Sequence, residues 1–197
     1  MKVGYAVLYE DGTLTISKEH TILQKPIYKD YGEFEDMNIP WINDTYEIKI
    51  VKILNQVKSN SMNSWFDNCK NLTILIDFQN LDVSNCEDFS YTFFSCKNLK
   101  NISSLKNWNV SNGKDFSRMF YGCKSLQDLK GLQNWNVSNG IIFSRIFFGC
   151  FNLKEIHLSD TLQFLNRKMF EGCSPMLQIH WKGKIYTYED LMEYQEF

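Results

Sequence analysis

Cys69, Cys96, Cys123 and Cys150 stand 27 residues apart, Cys173 follows 23 residues later, and Cys86 falls outside the series. Thiols placed so regularly invite three chemistries: metal binding, disulfide formation and nucleophilic attack. Zinc sites draw cysteines two to four residues apart, or a histidine close by. This chain has no C-x-x-C, and its three histidines are His20, His157 and His180. On that spacing no metal site and no cofactor is expected. Stacked copies would bring neighbouring thiols within roughly 5 Å, the spacing of strands. Side chains stacked in parallel point the same way, however, and a disulfide needs them converging. The cysteines are therefore expected to form a ladder of small buried residues. Cys86 with a histidine is the one pairing left for nucleophilic catalysis, and no G-x-S-x-G, G-x-G-x-x-G or G-x-x-x-x-G-K-[ST] accompanies it. No catalytic residue is assigned, and the chain is expected not to be an enzyme.

The elements that position these thiols follow from the same period. Three residues before each in-register cysteine stands Phe66, Phe93, Phe120, Phe147 or Phe170, and three residues after it Leu72, Leu99, Leu126, Leu153 or Met176. The segments NWNVSNGKDFSRMFYGC (107–123) and NWNVSNGIIFSRIFFGC (134–150) are near-copies. Self-similarity at 20–50 residues predicts a solenoid, in which each unit buries its apolar face only against its neighbours. Phe116, Met119, Phe120 and Cys123 fall at i, i+3, i+4 and i+7, one face of a helix of two to three turns. A short strand over LQDLKGL and a polar turn over NWNVSNG complete the unit. Asn71, Asn101, Asn109 and Asn136 each begin an N-x-[ST] triplet because the turn recurs. Asn and Ser there serve local backbone bonds rather than glycosylation.

The stretches LDVSNCEDFSYTFFSCKNLKNI, WNVSNGKDFSRMFYGCKSLQDL and WNVSNGIIFSRIFFGCFNLKEI resemble the BspA-type leucine-rich-repeat family of bacterial proteins. That resemblance implies an α/β leucine-rich-repeat solenoid of about five coils, with a short strand and a short helix in each. It departs from the family pattern in two ways. Cys86, Gly113 and Gly140 stand where Val or Thr is usual, and Phe89, Phe116 and Phe143 where a small residue is usual. The expected organisation is an N-terminal β-hairpin and irregular cap over 1–45, the solenoid over 46–181 and a C-terminal strand–helix cap over 182–197. YAVLY-EDG-TLTIS carries the first hairpin signal, LQIHWKGKIYTY a second, and Thr187 with Asp190 a capping box. Residues 18–45 lack periodicity and are expected as a long connection.

Composition limits the partners. The net charge is −2 and the pI near 5.9, so no basic stripe is available for nucleic acid. No window approaches the roughly 20 apolar residues of a membrane span. No secretory signal is visible at the start, which places the chain in the cytoplasm as written, or at the cell surface if a leader has been removed. In the cytoplasm thiols stay reduced. Nineteen Asn, eighteen Lys against three Arg, and a single Ala point to a low-GC bacterial genome or a mobile element within one.

Function is expected where the copies differ. Outward strand positions are Asn101, Ser103, Asp128, Lys130, Glu155, His157, Gln178 and His180, preceded by the apolar Ile74 and Ile76. This varied polar surface is the expected binding face for a protein partner. Neighbouring His157 and His180 are expected as polar surface, with pH-sensitive binding the alternative. Ser64, Tyr91, Arg118, Arg145 and Lys168 form a second column, expected as a solvated face. The expected function is a non-enzymatic protein-binding module, of the adhesion type implied by the resemblance. The alternative is an intracellular inhibitor carried by a phage or mobile element that binds a bacterial protein.

Overall fold

The computed structural model describes residues 2–36, 38–127 and 129–193. Ten strands run in chain order: β1 (Lys2–Tyr9), β2 (Thr13–Ser17), β3 (Ile27–Glu35), β4 (Ile50–Ile53), β5 (Val57–Lys58), β6 (Ile74–Ile76), β7 (Leu81–Asp82), β8 (Glu155–His157), β9 (Gln178–Trp181) and β10 (Lys184–Tyr186). They form a five-stranded sheet in the order β3-β1-β2-β4-β6, a three-stranded sheet β10-β9-β8 and the pair β5-β7. The hairpin around Asp11–Gly12 pairs Tyr5 with Ser17 and Leu8 with Leu14. Gly12 supplies the positive φ of 84° at its turn, and the Thr13 N–H donates to Asp11 Oδ1 at 2.9 Å. The stretch expected as a connection contains the nine-residue edge strand β3. Its residues are largely exposed on both faces, with Phe34 alone buried, so no alternation marked it. From β2 onward the sheet grows by parallel pairing, Leu14 to Val51 and Val51 to Leu75.

The expected α/β leucine-rich-repeat solenoid is not what forms. Among the described residues the sole α-helix is α1 (Asp190–Glu193), and the segments expected as helices are successive turns. The cause lies in the backbone. Ser64, Tyr91, Arg118 and Arg145 have φ of 59°, 58°, 54° and 57°, and Asn68, Ser95, Gly122 and Gly149 follow at 58°, 55°, 70° and 70°. Two left-handed residues per copy cannot be accommodated in a right-handed helix. The N–H groups accordingly alternate in direction. Trp65, Asp67 and Cys69 donate to the carbonyls of Met62, Ser64 and Phe66, three residues back, at 3.3, 3.1 and 3.2 Å. Ser64, Phe66 and Asn68 instead donate across to Ser90, Thr92 and Phe94 in the next copy, at 3.1, 2.9 and 2.8 Å. Half the bonds of a helix are thus exchanged for bonds between copies, while the inward residues keep a helix-like spacing.

The inward residues form columns. Phe66, Phe93, Phe120, Phe147 and Phe170 stack with centroids 5.4, 5.6, 5.8 and 5.6 Å apart, all essentially excluded from solvent. Phe89, Phe116 and Phe143 make a second column at 5.1 and 5.2 Å. This column explains the two departures in the copied motif. A Cβ on Gly113 would lie 2.4 Å from Phe116 Cζ, and one on Gly140 2.3 Å from Phe143 Cζ. The large Phe and the missing side chain three residues before it are one adjustment. The copied turn is equally committed: Trp108 and Trp135 Nε1 donate to the carbonyls of Phe78 and Leu105 at 3.0 and 3.1 Å. Asn112 and Asn139 Nδ2 reach Ser84 and Ser111 carbonyls at 2.7 and 2.8 Å. Asn109 and Asn136 Oδ1 accept the N–H of Ser111 and Ser138, closing Asx turns.

At the far end β9 and β10 form the second hairpin, with Lys182 and Gly183 at φ 47° and 73° as a tight two-residue turn requires. Thr187 Oγ accepts the Asp190 N–H at 3.2 Å and the Thr187 N–H donates to Asp190 Oδ2 at 2.6 Å, the reciprocal capping box. The helix expected after it is described to Glu193, and its remaining residues lie outside the described ones.

Candidate functional site

Parallel pairing of β8 with β9 sets Glu155 against Gln178, Ile156 against Ile179 and His157 against His180. Side chains alternate across a strand. Ile156 and Ile179 point inward and are buried, so Glu155, His157, Gln178 and His180 share the outer face. The two imidazoles stack with centroids 4.2 Å apart and planes inclined by 18°. Glu155 Oε1 lies 2.8 Å from His157 Nε2 and 3.0 Å from His180 Nε2. The contact to His157 has hydrogen-bond geometry. That to His180 does not, and its Nε2, shielded from solvent, has no hydrogen-bond partner. Beside the pair runs an open groove of about 430 Å³, lined by Gln133, Asp160, Trp181, Lys182 and Ile185 among others. Lys182 Nζ sits 4.6 Å over the Trp181 ring, and Asp160 Oδ1 accepts the Lys182 N–H at 3.1 Å.

The cysteine ladder is buried and its thiols are committed. Cys96, Cys123, Cys150 and Cys173 Sγ donate to the carbonyls of Phe66, Phe93, Phe120 and Phe147 at 3.1, 3.1, 3.2 and 3.0 Å. Cys86 Sγ donates to Ser59 at 3.2 Å. All six cysteines are free. Burial pushes the Cys86, Cys123 and Cys173 thiols up to about 12, because the thiolate loses its hydration. A thiol held neutral is a poor nucleophile and a poor ligand.

Residues 43–180 match the family described as "Mycoplasma protein of unknown function, DUF285". The chain belongs to this family. No curated protein and no solved structure matches it. The match is to DUF285 and gives no support to leucine-rich repeats, so the resemblance to BspA-type leucine-rich-repeat proteins is corrected, and the adhesion activity it implied loses its basis. The motif spacing behind that resemblance is met in this DUF285 chain by stacked turns.

The outward positions expected from sequence divide in this DUF285 protein. Glu155, His157, Gln178 and His180 come together on β8 and β9. Asn101 is exposed and its Oδ1 accepts the Ser103 N–H at 2.7 Å, while Ser103 opens the 3₁₀ turn Ser103–Leu105 instead of lying on a strand. Lys130 is exposed in a turn, and Asp128 lies outside the described residues. The Arg column is engaged with its own neighbours. Arg118 Nη1 donates to Tyr91 Oη at 2.6 Å, and the Arg145 guanidinium lies 5.9 Å over Phe148 and 4.0 Å from Glu171. Sequence reasoning paired the two histidines but missed Glu155 as the group between them. The signal was there: Glu155 precedes His157 by two residues, which puts both on one strand face.

Proposed function

We propose that this protein is a non-enzymatic module that holds a protein partner on the outer face of β8 and β9. The observation that carries the reading is the contrast between what the copies share and what they present. The shared Phe, Cys and Trp residues are buried and bonded to one another, whereas Glu155, His157 and Gln178 are exposed and differ from their counterparts in the preceding copies. The adjoining groove adds the half-buried Trp181 and the exposed Ile185, an apolar centre with a polar rim. The non-enzymatic part is supported by Cys86, whose thiol is buried, held neutral and bonded to the Ser59 carbonyl.

The test is a pull-down from a low-GC bacterial lysate, with and without added extracellular proteins, comparing two charge-reversed variants. Glu155→Lys with Gln178→Glu should lose a band that Arg118→Glu with Arg145→Glu retains. The opposite order would move the binding surface to the Arg column, and turnover abolished by Cys86→Ala would overturn the non-enzymatic reading.

A further inference from the structure

We propose that Glu155, His157 and His180 form a binding site for one divalent transition-metal ion of the zinc type. Among the described residues these three make the one cluster whose ligand atoms, two imidazole nitrogens and a carboxylate oxygen, all lie within 4.8 Å of one another. Metal–ligand distances of about 2.0–2.2 Å in a tetrahedral site put the ligand atoms roughly 3.4 Å apart. Oε1 of Glu155 is already at 2.8 and 3.0 Å from the two nitrogens, so expansion by a few tenths of an ångström admits the ion.

The fold supplies the backing such a site needs. Two ligands sit on adjacent strands in register and the third two residues along one of them, so main-chain pairing fixes all three Cα positions. The stacked rings must splay to converge their lone pairs, and they have room, with side chains 45% and 25% exposed. His180 Nε2 supplies the independent sign of a missing partner. It is screened from solvent, 3.0 Å from a carboxylate oxygen, and not hydrogen-bonded to it. A metal bound between the three groups would use that lone pair.

The donor set selects the ion. Two imidazoles and one carboxylate suit zinc, cobalt, nickel or copper, whereas magnesium and calcium want all-oxygen shells. The carboxylate offsets one of the ion's two charges. Three protein ligands leave the fourth position open, and the groove lined by Asp160 and Trp181 adjoins it. The inference does not depend on the protein-binding reading.

The test titrates Zn²⁺ alone into the full chain by calorimetry, with Co²⁺ spectroscopy alongside. One Zn²⁺ should bind per chain. Co²⁺ should give the ligand-field bands of a nitrogen–oxygen tetrahedral site without sulfur charge-transfer bands. His157→Ala, His180→Ala and Glu155→Gln should each lower affinity by at least the roughly 10–100-fold that loss of even a supporting residue costs. His20→Ala, which removes the other His–carboxylate pair at 2.7 Å to Asp30, should leave binding unchanged. The three replaced residues lie on the surface, and circular dichroism checks that each variant folds. Absence of a one-to-one site in the wild-type chain, binding that survives His157→Ala with His180→Ala, or sulfur-to-cobalt bands would each overturn the proposal.

Discussion

The middle of the chain and its last sheet are built on the same parallel stacking, yet they treat their polar groups oppositely. Across the two near-copies, residues 107–150, the buried indole and thiol donors find acceptors in the preceding copy. Trp108 and Trp135 Nε1 reach carbonyls 30 residues back, as do the thiols of Cys123 and Cys150. In β9, Trp181 Nε1 and His180 Nε2 are buried without a hydrogen-bond partner. An unpartnered buried polar group costs about 1–3 kcal/mol. Among the described residues the unpartnered buried groups lie on both sides of the near-copies, Thr13 and Trp65 before them and Asn166, His180 and Trp181 after them. On the proposed reading the first region supplies stability and the outer face of β8 and β9 the binding surface.

That contrast can be broken most forcefully in the column. Phe120 is fully buried between Phe93 and Phe147, so Phe120→Ala should cost about 3–5 kcal/mol in urea unfolding. His157→Ala in the same assay should stay within about 0.5 kcal/mol of wild type, as exposed substitutions do. Similar losses in the two variants would erase the distinction.

A smaller effect sharpens it. Gly113→Val drives a side chain into Phe116 and should cost about 1–3 kcal/mol by overpacking. Adding Phe116→Ala should cost less in the Gly113→Val background than alone, because each change makes room for the other. Additive losses in that double-mutant cycle would separate the two departures that the structure joins.

The thiols give a test confined to alkaline pH. Their folded values lie above the ordinary thiol value of 9.0, at about 12 for Cys123. The unfolded chain thus releases protons first as pH rises. Stability is fully present below about pH 9 and is lost progressively towards pH 12, with each such thiol contributing a slope of at most about 1.4 kcal/mol per pH unit. Cys123→Ala should make that alkaline slope shallower while leaving stability unchanged in shape between pH 6 and 8. An unaltered slope would mean that the ladder is open to water.

Much of the architecture was legible in the residues themselves. The 27-residue period, the inward Phe and Cys columns, both hairpin turns and the capping box follow from local chemistry: apolar spacing, Asp–Gly and Lys–Gly turns, and Thr187 placed three residues before Asp190. Local chemistry is also where legibility stopped. Spacing of i, i+3, i+4 and i+7 fits a helix and a run of turns equally. The decision rests on whether alternate N–H groups bond within the copy or across to Ser90, Thr92 and Phe94, and only the stacked neighbour supplies those carbonyls. Strand β3 escaped notice for a related reason, since an edge strand exposed on both faces carries no alternation.

The candidate site divides in the same way. By itself the sequence determined that Glu155 and His157 share a strand face, because side chains two residues apart always do. The repeat already set His157 beside His180, 23 residues further on, and only the tertiary structure decided that Glu155 Oε1 comes within 2.8 and 3.0 Å of both rings. The parallel register of β8 with β9 brings the three together. It is set by burying Ile156 beside Ile179, and the outward side chains meet as a consequence.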